Sequence, residues 1–336
     1  MNTLYQTAKQ LFADKKGLLA ADESTNTANK RFAALDIEQT EEMRRQYRQL
    51  LLSTPGIEEF LSGVILFDET IRQKDDQDIP FAQLLSDKGI IPGIKVDKST
   101  IDFEGHPGEK ITQGLDGLAD RLKEYYAMGA RFTKWRAVIA IGEGIPTQDC
   151  IEENSRILAE YASIVQAEGF VPILEPEVLL DGIHTIEIAE EVTTNTLRAV
   201  FVALESKGVD LRSLILKSSM VLSGKDCPQQ ASAREVAEAT IRTFKNSVPE
   251  NVAGIVFLSG GQPPKQATES LSEIIKLVRQ PADWPLSFSF SRALQEPVLE
   301  AWHGNSANVE AAQQAFLKRL RLNKSALEGE YTKSME

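Results

Sequence analysis

Short apolar runs recur from one end of this chain to the other, each followed by a helical pattern, and that rhythm constrains the fold more than any other feature. The runs are GLLAAD (17–22), GVILFD (63–68), IIPGIKVD (90–97), RFTKWRAV (131–138), GFVPILEPE (169–177), SLILKSSM (213–220), VAGIVFLSGG (252–261) and PLSFSFSRAL (285–294). They are too short for helices and too continuously apolar for half-exposed antiparallel strands, so they read as parallel strands covered on both faces. Between them, Met43, Tyr47, Leu50 and Leu51 share one helical face, and Ile157, Tyr161, Ile164 and Val165 share another. Leu197, Val200, Phe201 and Leu204 repeat the pattern before Gly208, which stands where a helix C-cap belongs. Val236, Ile241, Phe244 and Val248, then Leu271, Ile274, Ile275 and Val278, continue it.

Strand followed by helix, eight times over, predicts an α/β chain closed into a (β/α)8 TIM barrel. An open doubly wound sheet is the alternative, and the lack of a glycine-rich fingerprint after the first run counts against it. No linker or low-complexity segment interrupts the 336 residues, so a single barrel domain over 1–336 is expected, with an N-terminal helix and a short C-terminal tail.

The chain is acidic, with 49 Asp and Glu against 37 Lys and Arg and a formal charge of -12. Nucleic acid and anionic membrane are therefore not expected partners, and any anion site must gather its cations locally. Two cysteines, Cys150 and Cys227, make neither a disulfide framework nor a four-thiolate site. Three histidines, His106, His184 and His303, are too widely spaced for a ligand motif, so neither a metal nor another cofactor is expected. The opening MNTLYQTAKQLF lacks the basic start and apolar core of a signal peptide, and no apolar run approaches the ~18–20 residues of a membrane span. A soluble, cytoplasmic protein is the expectation.

Almost every apolar run ends in a charged or hydroxyl side chain: Asp22, Asp68, Lys95, Lys134, Glu175, Lys217, Ser259 and Arg292. Singly, each reads as a solvated boundary residue. In register, a barrel gathers them around one mouth, where this architecture carries its active sites. Lys134 and Arg136 point to one face of the fourth strand, and Glu175 and Glu177 to one face of the fifth. Either these charges form a structural ion-pair network or they serve chemistry, and a buried network is poor value for stability alone.

Lys217 is the sharpest single residue. A lone lysine at a strand end would ordinarily snorkel or pair with an acid. Desolvated, with a second ammonium such as Lys134 beside it, it is expected to lose its proton readily and become a nucleophile toward carbonyls. Ser259, Gly260 and Gly261, with Arg292 from the eighth run, make one candidate phosphate site, since the loops after these two strands often bind phosphate in barrels. DESTNTANKR (22–31) supplies Ser24, Thr27, Lys30 and Arg31 for a second, with Lys95. For Ser24 and Thr27 a helix N-cap is an equal reading. Two anion sites flanking an amine and carboxylates point to a bisphosphorylated carbonyl substrate.

The segments LLAADEST, GIKVDK, GLDGL, KWR, PILEPE, LILKSSM, FLSGGQ and FSFSRALQ, in that order over residues 5–332, resemble those of class I fructose-1,6-bisphosphate aldolase. The resemblance implies a (β/α)8 barrel and reversible cleavage of fructose 1,6-bisphosphate to dihydroxyacetone phosphate and glyceraldehyde 3-phosphate through a lysine Schiff base, without metal. It implies that Lys217 is the Schiff-base lysine, Glu175 the general acid/base of imine formation, and Asp22 the group that takes the C4 hydroxyl proton. Lys134 and Glu177 match a charged pair that maintains the electrostatic arrangement. Arg136, Lys95, Ser24, Thr27 and Arg31 resemble the set around the 6-phosphate, and Ser259, Gly260, Gly261, Ser289 and Arg292 the 1-phosphate site.

The sequence departs from the family pattern in places. Tyr331 in EGEYTKSME is not the terminal tyrosine of the longer family tails, so enamine protonation is expected to use another group or water. Ser218 and Ser219 replace a common Pro-Asn, Asn26 and Thr27 a common Gly-Ser, and Ser291 a usual glycine before Arg292. The family includes tetramers, so a homo-oligomer is compatible with the sequence. A metal-dependent aldolase would need a histidine-rich site, and a transaldolase-like barrel has no reason for two phosphate clusters. A non-catalytic sugar-phosphate-binding or scaffold protein of aldolase shape is the alternative of a different class.

Overall fold

Period-two alternation along each strand decides which residues face the barrel interior and which face the helices. The computed structural model describes residues 3–278 and 283–336. Its barrel strands are β1 (Gly17–Ala21), β2 (Leu61–Leu66), β3 (Ile91–Lys95), β4 (Phe132–Ile139), β5 (Val171–Val178), β6 (Ile215–Ser218), β7 (Gly254–Phe257) and β8 (Leu286–Phe290). All pair in parallel and close into one barrel, β8 returning to β1. The closed (β/α)8 expectation holds, and the open sheet is excluded.

Leu18 and Ala20 of β1, Phe132 of β4, Val171 and Ile173 of β5, Ile215 of β6 and Val256 of β7 pack together inside the barrel. Ala8 and Leu11 join them, so the helix Thr3–Gln10 and the turn after it close the end where the strands begin. The alternate residues Leu19, Trp135, Leu174 and Leu216 face outward and pack under the helices. Along β4, β5 and β6 the inward series continues past the apolar layer into Lys134, Arg136, Glu175, Glu177 and Lys217. The interior is thus apolar where strands enter and charged where they leave.

Space inside the barrel is shared between large and small residues. The Phe132 ring fills the room over Gly93 of β3, where an added Cβ would lie 2.3 Å from it. Gly93→Ala is therefore expected to destabilise the fold by about 1–3 kcal/mol through overpacking, read as a lower urea midpoint with unchanged slope.

Two elements were not foreseen. Thr100–Asp102 and Lys110–Thr112 form a small antiparallel ribbon between β3 and β4. The run after β2 ends early: Asp68 opens the helix Asp68–Arg72, pairs with Arg72 and accepts from Tyr125 Oη at 2.8 Å. Asp68 therefore leaves the mouth for the outer surface. Arg292 likewise does not end a strand but opens the helix Arg292–Trp302, and Ser259 lies in the loop beyond β7.

Candidate active site

One cavity of about 370 Å³ opens at the ends of the strands. It is lined by Asp22, Lys134, Glu175, Glu177 and Lys217, by Ser24, Thr27, Arg31, Lys95 and Arg136, and by Ser259, Gly260, Gly261, Ser289 and Arg292. Every candidate site residue carried over from the family motifs is brought together there. Of the strand-end ring only Asp68 is missing, and Lys30, singled out with its neighbours, does not line it.

A chain of alternating charge runs through the floor. Asp22 Oδ2 lies 2.6 Å from Lys134 Nζ, which lies 2.9 Å from Glu175 Oε2; Glu175 Oε1 lies 3.0 Å from Lys217 Nζ. All four side chains are buried. Lys134 thus reaches from β4 across the interior to the end of β1. Burial by itself would lower the Lys134 ammonium, but the carboxylates of Asp22 and Glu175 outweigh it and hold its pKa above the ordinary lysine value. For Glu175, burial would raise the carboxyl, and the charges of Lys134, Lys217 and Arg136 overcome that and hold it below the usual range. Glu175 is an anion placed between two amines.

This differs from the sequence reading in two respects. Lys134 does not pair with Glu177; Glu177 Oε2 instead accepts from Arg136 Nε. Nor does Lys134 face Lys217 as an unpaired ammonium, because Glu175 lies against both. The barrel's stagger explains the pairing. Lys134 is level with Ile173 and Arg136 with Glu175 in the β4–β5 register, yet each cation meets the carboxylate two residues further along. Strands tilted in a closed barrel bring such offset residues to one height.

The phosphate candidates sit on either side of this floor. Ser24 caps the helix Thr25–Ala33, its Oγ 3.4 Å from Thr27 N and 3.1 Å from Thr27 Oγ1, so capping and cavity lining coincide. Lys95 pairs with Asp97 at 3.1 Å. Gly260 and Gly261 have φ of 58° and 90°, a left-handed stretch that suits glycine and leaves backbone N–H groups approachable. Ser289, facing inward from β8, has its Oγ buried without a hydrogen-bond partner among the described residues. A buried hydroxyl without a partner is costly unless a ligand supplies one.

Sequence reasoning missed Asp97, Ser99, Thr100 and Glu23, all of which line the cavity. Glu23 stands beside Asp22, so alternation along a strand would have turned it away; only the break of β1 after Ala21 brings both inward. Tyr331 does not line the cavity. Its hydroxyl donates to Glu336 Oε1 at 3.2 Å, and burial with the Glu336 charge pushes it up to about 12. No helix among the described residues is long and apolar enough to cross a membrane.

A parallel barrel with a buried lysine, its paired carboxylate and flanking anion-binding loops defines a lysine-dependent lyase of the Schiff-base type. The family model described as class-I fructose-bisphosphate aldolase matches residues 3–336. A probable fructose-bisphosphate aldolase class 1 of Xanthomonas campestris is 52% identical over 98% of both chains. Fructose-bisphosphate aldolase 5, cytosolic, of Arabidopsis thaliana is 49% identical over 98% of this chain and 91% of its own. A solved structure of fructose-bisphosphate aldolase from Plasmodium falciparum, in complex with TRAP and a small-molecule inhibitor, superposes with a TM-score of 0.96. It is 46% identical and the match covers 98% of this chain and 95% of that one. The chain belongs to the class I fructose-bisphosphate aldolase family.

Proposed function

We infer that this chain cleaves fructose 1,6-bisphosphate reversibly to dihydroxyacetone phosphate and glyceraldehyde 3-phosphate through an imine on Lys217. The observation that carries the reading is the buried sequence Asp22–Lys134–Glu175–Lys217, with ion-pair distances of 2.6, 2.9 and 3.0 Å.

Each step has a group within reach. An amine attacks a carbonyl only with its lone pair free, and Glu175 Oε1 is the base placed to take the proton from Lys217 Nζ. Nζ then bonds to C2 of the ketose. A proton passes from Nζ to the C2 oxygen to give the carbinolamine, Glu175 returns its own proton to that C2 hydroxyl, water leaves, and a protonated imine remains. Asp22 takes the C4 hydroxyl proton as the C3–C4 bond breaks, the aldehyde departs, and the electron pair moves from C3 into the imine to give an enamine. C3 takes a proton from water or another group, Asp22 gives up the one it took, and hydrolysis of the imine releases dihydroxyacetone phosphate and restores Lys217.

Lys134 keeps Asp22 and Glu175 in position while their charges change, and Glu177 fixes Arg136. The substrate's 6-phosphate is assigned to Ser24, Thr27, Arg31, Lys95 and Arg136. Its 1-phosphate is assigned to Ser259, Gly260, Gly261, Ser289 and Arg292, with the unpartnered Ser289 hydroxyl as a donor. A cytoplasmic location follows the cytosolic relative in Arabidopsis thaliana. A homo-oligomer, and a single domain over 1–336, complete the reading.

A coupled assay tests it: cleavage of fructose 1,6-bisphosphate is expected at full rate in excess EDTA. Folded protein without cleavage would favour the sugar-phosphate-binding scaffold, and loss of activity on chelation would contradict the lysine mechanism.

A further inference from the structure

Glu23 sits in the chain between Asp22 and Ser24, and its buried carboxylate collects four donors. Oε1 accepts from Arg31, from Ser291 Oγ at 2.6 Å and from Gln295 Nε2 at 2.8 Å; Oε2 accepts from Arg48 at 2.7 Å. Ser291 Oγ in turn lies 3.4 Å from both terminal nitrogens of Arg31. The cluster therefore ties the loop after β1 to the loop after β8, at the seam where first and last strands meet.

Two arginines line the cavity at this seam, and they differ. Arg292 has no carboxylate partner among the described residues. Arg31 lines the same cavity with its guanidinium already engaged by Glu23. Burial would raise the Glu23 carboxyl, but Arg48 and Arg31 hold it below the ordinary range, so it is an anion at neutral pH. Thr27 and Arg31 lie one turn apart on one helix face. A phosphate entering beside Ser24 and Thr27 meets a cation whose donors point at a protein carboxylate.

We propose that Glu23, held in place by the Ser291 hydroxyl, is a positioning residue that competes with a substrate phosphate for Arg31. The inference rests on the aldolase reading for the ligand being a sugar phosphate. A guanidinium offset by a buried carboxylate binds an incoming anion less tightly and releases it more readily than a free one. Ser291 contributes because its hydroxyl donates to Glu23 and keeps that carboxylate against Arg31, which a residue lacking the hydroxyl would not do.

The test is calorimetric titration of the whole chain with inorganic phosphate, alongside a fructose 1,6-bisphosphate cleavage assay of the wild type. Glu23→Gln is expected to bind phosphate about fivefold to tenfold more tightly, from the freed charge on Arg31. Ser291→Ala moves the same way by about twofold to threefold, while Ser291→Thr, which keeps the hydroxyl, matches the wild type. Glu23→Gln combined with Arg31→Ala loses the gain. A role confined to holding the loops together would weaken binding instead. Unchanged or weaker phosphate affinity in Glu23→Gln and Ser291→Ala overturns the proposal, and if Glu23→Gln does not fold, the same result in Ser291→Ala alone does so. Failure of the wild type to cleave the bisphosphate strikes the aldolase reading and leaves the phosphate comparison standing.

Discussion

Lys217→Ala is expected to lower kcat by at least about 10⁴-fold, with the barrel still folded. In the proposed mechanism the imine is the electron sink for C3, and Lys134, the other amine on Glu175, is already held by Asp22 and Glu175 together. Folding should survive because Glu175 keeps Lys134 as its partner when Lys217 is lost, so no buried charge is stranded. The measurement is steady-state cleavage together with circular dichroism. A folded variant retaining a tenth or more of wild-type kcat would rule out a covalent role for this lysine.

Glu175→Gln is expected to cost about 10²–10⁴-fold in kcat, the span of a lost general acid/base. The amide keeps the shape of the side chain but neither takes the proton from Lys217 nor returns one to the C2 hydroxyl. It also removes the anion shared by two buried amines, which then repel across the site. Imine formation should slow most, so the fraction of enzyme trapped by borohydride at a fixed early time should fall with kcat. A variant that cleaves slowly yet traps as fast as the wild type would move Glu175 to a later step.

The fold was legible in the eightfold rhythm of strand and helix, and the charged floor of the site in the period-two alternation along its strands. Ile173, Glu175 and Glu177 are two residues apart on one strand, so once the apolar end of β5 faces inward, its acidic end does too. Alternation gives a face but not a partner. The pairing of Lys134 with Asp22 and Glu175, rather than Glu177, depends on strand tilt and on β1 standing across the barrel from β4. Neither leaves a mark in the spacing of KWR or PILEPE. Asp68 and Glu23 show the same limit at strand ends. Asp68, two residues past the last residue of β2, has already turned into a helix and left the mouth, while Glu23, two past the end of β1, remains in it. The difference lies in loop geometry and in the arginines Arg31 and Arg48, which reach Glu23 from the helix that directly follows it, Thr25–Ala33, and from the next one, Glu41–Ser53.

The proposed mechanism rests on one chemical claim above the others, that Lys217 carries the substrate. Borohydride reduction in the presence of dihydroxyacetone phosphate, followed by peptide mass mapping, tests it most directly. The expected result is a single reduced adduct on Lys217, absent in Lys217→Ala. An adduct on another lysine, or none from an enzyme that cleaves the bisphosphate normally, would contradict it.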